Sequence, residues 1–259
     1  MAEAVDSVRE ADGISTEVII VDDGSTDAFT LEQIAKLELE GTTVIRQTNR
    51  GLGAARNAGI RAAQGEYVIP LDSDNRLRRA YFESGVRALN DNPGLGVVYA
   101  DAEYFGEKQG RWHVGNFDLG ELVYCNFMDA CALIRKSVWL EAGGYDERMP
   151  WMGFEDWDLW LRVAFMGGRF HYLPEIGFDY RVRPDSMIVA ANKHYDDLIR
   201  YMFAKSGLEF AKVLRDKMIE LHQARGRLQQ FSNSKDFRLG KLILDPLRRL
   251  RQTVRKFLH

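Results

Sequence analysis

The chain has 259 residues, enough for one large domain or a domain with an appendage, and its 46% hydrophobic and 28% charged content suits a soluble globular protein with a real core. A formal net charge of −3 gives no global attraction to nucleic acid or to an anionic membrane. No apolar run approaches the ~18–20 residues that span a bilayer. The N-terminus lacks a basic-then-apolar signal pattern, and Cys125 and Cys131 have no His or Cys partners at metal spacing. Both thiols are expected to be small buried side chains, and the cytoplasm is the expected compartment.

Along the chain, Ala4, Val5 and Val8 mark the end of a helix, and Glu17–Val21 is a continuous apolar strand of the kind buried on both faces of a parallel sheet. The turn Asp22-Asp23-Gly24-Ser25-Thr26-Asp27 leads into a helix carrying Leu31, Ile34, Ala35 and Leu37. Thr43–Arg46 is a strand, Ala54–Ala63 a helix, Tyr67–Leu71 a third strand and Ala80–Leu89 another helix. Strand and helix alternate, which argues for an α/β domain with a mostly parallel sheet flanked by helices. Val97–Ala100 and Cys131–Ile134 read as strands, Lys136–Ala142 and Glu155–Met166 as helices, and Arg169–Leu173 as a strand stopped by Pro174. The stretch from Asp101 to Asp129 has no clear period. After about Ala190 the pattern is helical and amphipathic, and residues 235–259 carry many Lys and Arg interleaved with apolar residues. Such a segment suits either an anionic membrane surface or a solvated terminal helix.

Two carboxylates, Asp72 and Asp74, sit i, i+2 at the end of the third strand, so both can point the same way past the sheet. Hard oxygen ligands there suit Mg²⁺ or Mn²⁺ shared with substrate phosphates. In open α/β sheets ligands bind beyond the carboxyl ends of strands, where Asp22 and Asp23 also fall. A third acidic cluster, Glu155-Asp156-Trp157-Asp158, opens a helix. Each cluster has a structural alternative: Asp22 or Asp23 as a helix N-cap, and the third cluster as a first turn favoured by the helix dipole.

These clusters, in this order with Asn49-Arg50-Gly51, Ala55-Arg56-Asn57-Ala58-Gly59, Gly143-Gly144-Tyr145-Asp146-Glu147 and Tyr180-Arg181-Val182-Arg183, resemble the family 2 glycosyltransferases of the GT-A fold over roughly residues 2–187. The resemblance implies a Rossmann-like GT-A domain over 1–190, with a donor-binding half at about 1–100 and an acceptor half at about 101–190, followed by a helical, basic C-terminal extension over 191–259. It implies an inverting, metal-dependent transfer from a nucleotide-sugar donor, a UDP-sugar in most relatives, to a hydroxyl of a cell-envelope glycan or lipid-linked acceptor.

By the same resemblance Asp74 holds the cation, Asp72 the cation shell or the ribose, Asp23 with Asp22 the nucleotide, and Asp156 is the base. Arg56 is expected at the nucleotide or paired with a core carboxylate, and Arg183 at the diphosphate. Trp151, Glu155 and Trp157 are expected near the acceptor, whereas Trp160, Asp158 and His171 read as structural. Against the family pattern, the first apolar strand and its nucleotide-binding loop are missing ahead of Met1, leaving neighbouring strand edges unpaired. That departure fits a mis-set or truncated start or a damaged family member, and it keeps open a non-catalytic binding or scaffold protein. A Mg²⁺ phosphotransferase of the haloacid dehalogenase type is disfavoured, because the Asp-Asp pair precedes Asp-x-Asp.

Overall fold

The computed structural model describes residues 1–9, 14–184 and 186–205, together with Val213, Leu214, Ala224 and Arg227. The chain divides into two compact units, Met1–Phe210 and Ala211–His259. In the second, the four described residues are helical, and the expected basic amphipathic segment otherwise lies outside the described residues. Among the described residues no helix is long and apolar enough to cross a membrane.

The first unit opens with α1 (Ala2–Arg9), β1 (Ile19–Asp22), α2 (Ala28–Leu39), β2 (Thr43–Arg46) and α3 (Leu52–Ala62). β1 and β2 pair in parallel, which requires a crossover such as α2. They form a two-stranded sheet of their own, and among the described residues no ladder joins β1 to the strand that follows α3.

A six-stranded sheet is built from β3 (Tyr67–Val68), β4 (Arg76–Leu77), β5 (Val97–Gly106), β6 (Gly110–Trp112), β7 (Leu133–Arg135) and β8 (Phe170–Val182), in the order β3-β7-β5-β8-β4 with β6 on β5. Its longest pairing, β5 with β8, is parallel, whereas β7, β4 and β6 run antiparallel to their neighbours. The α/β class holds, and the sheet is mixed, with parallel pairing confined to β1–β2 and β5–β8 among the described residues. The connections decide this: only residues 107–109 separate β5 from β6, and so short a link makes a hairpin rather than a crossover.

The remaining helices are α4 (Arg79–Asp91), α5 (Leu119–Tyr124), α6 (Lys136–Glu141), α7 (Glu155–Phe165) and α8 (Met187–Lys193). A helical run over 195–205 belongs to the same unit and buries Leu198 and Met202. β8 does not stop at Pro174. The β5–β8 register shifts at Ala100/Asp101, and this bulge accommodates a residue with no N–H to give to the ladder.

The irregular 101–129 stretch is tied down by Asp101, whose fully buried carboxylate accepts from Arg111 Nε (2.6 Å), the Val114 N–H (2.9 Å) and the Tyr172 hydroxyl (2.9 Å), with His113 Nδ1 also at 2.9 Å. A core of Tyr81, Leu89, Val98, Leu133 and Phe178 lies between α4 and the sheet. Leu159, Trp160 and Leu161 are all buried, so α7 is enclosed on more than one side.

Candidate active site

Four segments converge at the carboxyl ends of the strands. After β3 the chain runs extended through Leu71 and turns, the Asn75 N–H donating to the Asp72 carbonyl (3.0 Å). Asn75 is buried and its Oδ1 accepts from the Arg181 N–H of β8 (2.9 Å), while Arg181 Nε donates to the Asp74 carbonyl (3.1 Å). The Asp-x-Asp turn is thereby clamped to the sheet with both carboxylates left at the surface. Arg56, from α3, meets Asp72 at 2.7 Å, and Arg183, from the end of β8, meets Asp74 at 3.2 Å. The two pairs differ in depth. The Arg56 side chain is 11% exposed, whereas Asp74 and Arg183 are 31% and 53% exposed.

The fourth segment is the start of α7. Asp156 Oδ1 accepts from the Trp157 N–H (2.8 Å), and Oδ2 accepts from Asn126 Nδ2 (3.2 Å). Burial pushes the Asp156 carboxyl up to about 6, with Arg56 and the Trp157 N–H opposing and Glu155 and Asp72 reinforcing the rise. A carboxylate near neutrality is suited to taking a proton. Arg56 stays charged, since burial, which works against its charge, is outweighed by the attraction of carboxylates including Asp72 and Asp156.

Asp129, whose role the sequence does not disclose, completes the cluster. Its Oδ1 accepts from the Cys131 N–H (2.8 Å), and burial, then the charges of Asp72 and Asp156, lift its carboxyl to about 7. Tyr145 is the second residue missed. It is buried beside Arg56, whose guanidinium lies 5.4 Å from the ring centre. The only sequence signal for either was position, Asp129 just before the apolar run 130–134 and Tyr145 after the paired glycines.

Several expectations need correction. Neither Asp22 nor Asp23 caps α2; Asp27 does, accepting from the Thr30 N–H at 2.8 Å. Asp22 is buried and accepts from the Ser25 N–H (2.9 Å). Asp23 braces the loop before α3, accepting from Gln47 Nε2 (2.7 Å) and from the Arg50 and Gly51 N–H groups (both 2.9 Å).

Trp157 is not placed to meet an acceptor, being buried with its Nε1 donating to the Leu122 carbonyl (2.6 Å). Adjacent residues on a helix point to different faces, so Asp156 and Trp157 do not share a surface either. Glu155 is also buried and turns back to the Gly153 N–H (2.7 Å). Trp151 is half-exposed and stacks on His194 with ring centres 3.6 Å apart. Trp160 and Asp158 are structural as read, Asp158 pairing with Arg162 and Lys205, and His171 lies exposed on β8. Cys125 and Cys131 are free thiols, Cys131 buried and Cys125 partly so.

Among the described residues no group of three His, Cys, Asp or Glu side chains is arranged to hold a metal ion. Asp72 and Asp74 therefore fit a divalent cation only as a partial oxygen set, completed by substrate phosphates and water, which is how Mg²⁺ is commonly held.

With this geometry in place, comparison with known proteins identifies the family. The family model described as "Glycosyl transferase family 2" matches residues 1–160, and a second, "Glycosyltransferase like family 2", matches 121–237. The chain belongs to glycosyltransferase family 2.

Among curated relatives, EpsH of Bacillus subtilis is 39% identical over 102 residues, 39% of this chain and 29% of EpsH. The amylovoran biosynthesis glycosyltransferase AmsE of Erwinia amylovora is 27% identical over 146 residues, 54% of this chain and 53% of AmsE. The chain thus spans about a third to a half of the length of these family 2 relatives. Among solved structures, S. aureus TarS (residues 1–349) in complex with UDP-GlcNAc superposes with a TM-score of 0.63 at 19% identity, covering 82% of this chain and 66% of that one. At that identity the likeness concerns the fold alone.

Proposed function

We propose that this family 2 chain transfers a sugar from a nucleotide diphosphate sugar, a UDP-sugar, to a hydroxyl of a cell-envelope glycan or lipid-linked acceptor, with inversion at the anomeric carbon. The observation that carries the reading is Asp156, a partly buried carboxylate at the start of α7 held by Asn126 and the Trp157 N–H, within the field of the Arg56–Asp72 pair and raised to about 6. Relatives named for succinoglycan and amylovoran biosynthesis and a structural neighbour in complex with UDP-GlcNAc support the substrate class.

In the proposed reaction Asp156 takes the proton of the acceptor hydroxyl, whose oxygen attacks the anomeric carbon. The bond from that carbon to the diphosphate oxygen breaks, and its electron pair leaves on the diphosphate. With Asp156 as the base and no carboxylate assigned the part of nucleophile, this is a single displacement. Asp74 and Asp72 would hold Mn²⁺ or Mg²⁺, which supplies Lewis-acid stabilisation of the charge growing on the leaving group. Arg183 is positioned to meet the diphosphate by charge-assisted hydrogen bonds. Asp22 and Asp23 border the nucleoside end, and Trp151 is the remaining aromatic candidate for acceptor contact. Peripheral membrane contact through the basic C-terminal segment remains a proposal on residues outside those described.

Asp156→Asn is expected to cut transfer by about 10²–10⁴-fold, the usual worth of a positioned base, while keeping the thermal shift produced by UDP with Mn²⁺. A ligand at ~100 times its Kd adds about 2.7 kcal/mol. Full transfer activity in the variant would refute the assignment of the base. A second reading, a family member that does not take a donor, is favoured by β1 and β3 each pairing with one strand only among the described residues. Absence of any shift with UDP, GDP, dTDP or CDP from a cooperatively melting protein would select it.

A further inference from the structure

We infer that the Tyr145 hydroxyl is a substrate-contacting group of this site and that its partner is a hydroxyl of the transferred sugar. The inference rests on the glycosyl-transfer reading above. Tyr145 is held firmly from its backbone. Its N–H donates to Asn57 Oδ1 (2.8 Å) and its carbonyl accepts from Asn57 Nδ2 (2.9 Å). The preceding Gly144 has φ +73°, and a Cβ there would lie 2.8 Å from Asn57 Oδ1 and 2.9 Å from the Trp139 ring. This approach, open only to glycine, delivers the ring to a buried position under Arg56.

Despite this, the Tyr145 hydroxyl is buried without a hydrogen-bond partner among the described residues. Buried polar groups are nearly always paired, and a phenylalanine would fill the same space with nothing left unsatisfied. A hydroxyl kept here at that cost points to a partner that arrives with the substrate.

The chemistry of the partner follows from the order of groups with depth. Arg183, Asp72 and Asp74 are outermost at 53%, 38% and 31% exposed, whereas Arg56 is 11% and Tyr145 2% exposed. Anionic phosphates belong at the outer end, with Arg183 and the cation-competent carboxylates. The group lying deeper feels Asp156, Asp72 and Asp129 against one guanidinium. That field repels a phosphate and suits a neutral group that both donates and accepts, as a sugar hydroxyl does. Arg56 covers the ring and is held by Asp72. A donor that engages Asp72 releases Arg56 and opens the way to the hydroxyl.

Tyr145→Phe tests this with three readouts on the whole chain: the melting temperature without ligand, the thermal shifts with UDP and with UDP-glucose, UDP-galactose and UDP-N-acetylglucosamine, and transfer kinetics with the sugar that shifts the wild type. The variant should melt at the wild-type temperature or about 2–4 °C above it. Its response to UDP should be unchanged, and its affinity for the UDP-sugar and its kcat/KM should fall about tenfold, equivalent to ~1.4 kcal/mol. A melting temperature lowered by more than about 2–4 °C means that the hydroxyl has a partner within the protein and overturns the inference. Unchanged UDP-sugar affinity and kcat/KM overturn it as well, while leaving glycosyl transfer standing. Failure of the wild type to respond to any of these nucleotides removes both readings together.

Discussion

Asp129→Asn should stabilise the protein at pH 8 and flatten its stability between pH 4 and 7. In the folded chain burial, followed by the charges of Asp72 and Asp156, raises the Asp129 carboxyl from an ordinary 3.8 to about 7. That rise corresponds to at most ~4 kcal/mol. The residue keeps some contact with solvent, which reduces the working figure to ~2 kcal/mol. For the sign, the folded state holds a proton between about pH 4 and 7 that the unfolded state has released, so stability falls as pH rises through that window and levels off above it. Asp156, raised to about 6, adds a slope of the same sign up to that pH.

The amide oxygen of the substituted side chain would still accept from the Cys131 N–H, which lies 2.8 Å from Asp129 Oδ1, but would carry no charge. Urea unfolding at pH 5, 6, 7 and 8 in EDTA measures both proteins. The variant should gain ~2 kcal/mol over wild type at pH 8 and little at pH 5. Parallel pH profiles, or a variant less stable than wild type at pH 8, would show that Asp129 is not a buried charge opposed by Asp72 and Asp156.

Two further outcomes follow from packing. Trp157→Phe removes the donor to the buried Leu122 carbonyl and leaves a small cavity, costing about 2–3 kcal/mol in urea unfolding without raising the acceptor KM; unchanged stability with a raised KM would return Trp157 to the acceptor site. Gly144→Ala forces a Cβ against Asn57 and Trp139 at positive φ, and a loss of about 2–4 kcal/mol together with loss of UDP-sugar response is expected in thermal-shift titration. A variant that melts like wild type would mean that the Gly143–Gly144 turn adapts, and that it does not position Tyr145.

The α/β class, the strand at 43–46 and the helices at 155–165 and 136–141 were legible because their apolar spacing and glycine or acidic ends are local signals. The three acidic clusters were legible for the same reason: short polar runs at the ends of apolar segments stand out. The parallel sheet was only partly so, since strand direction is set by the length and course of the connections and not by the strands' own residues. β4 and β6, with two and three residues, are too short to carry a period. β8 continues past Pro174 because the ladder skips from Leu173 to Ile176 against consecutive Ala100 and Asp101 of β5, so that Pro174 sits in a bulge whose place only the pairing sets.

The candidate site divides the same way. Residue type and order along the chain were enough to nominate Asp72, Asp74, Asp156 and Arg56, because carboxylates at strand ends and helix starts have chemical meaning wherever they occur. Burial and pairing are properties of the assembled chain. Only the tertiary structure turned Trp157 inward onto Leu122, spent Asp23 on the loop before α3, and gathered Asp129 and Tyr145 around Asp156. Those placements arise where α3, the 72–75 turn, the 143–145 turn and α7 meet, segments far apart in sequence whose fields add only once the fold brings them together.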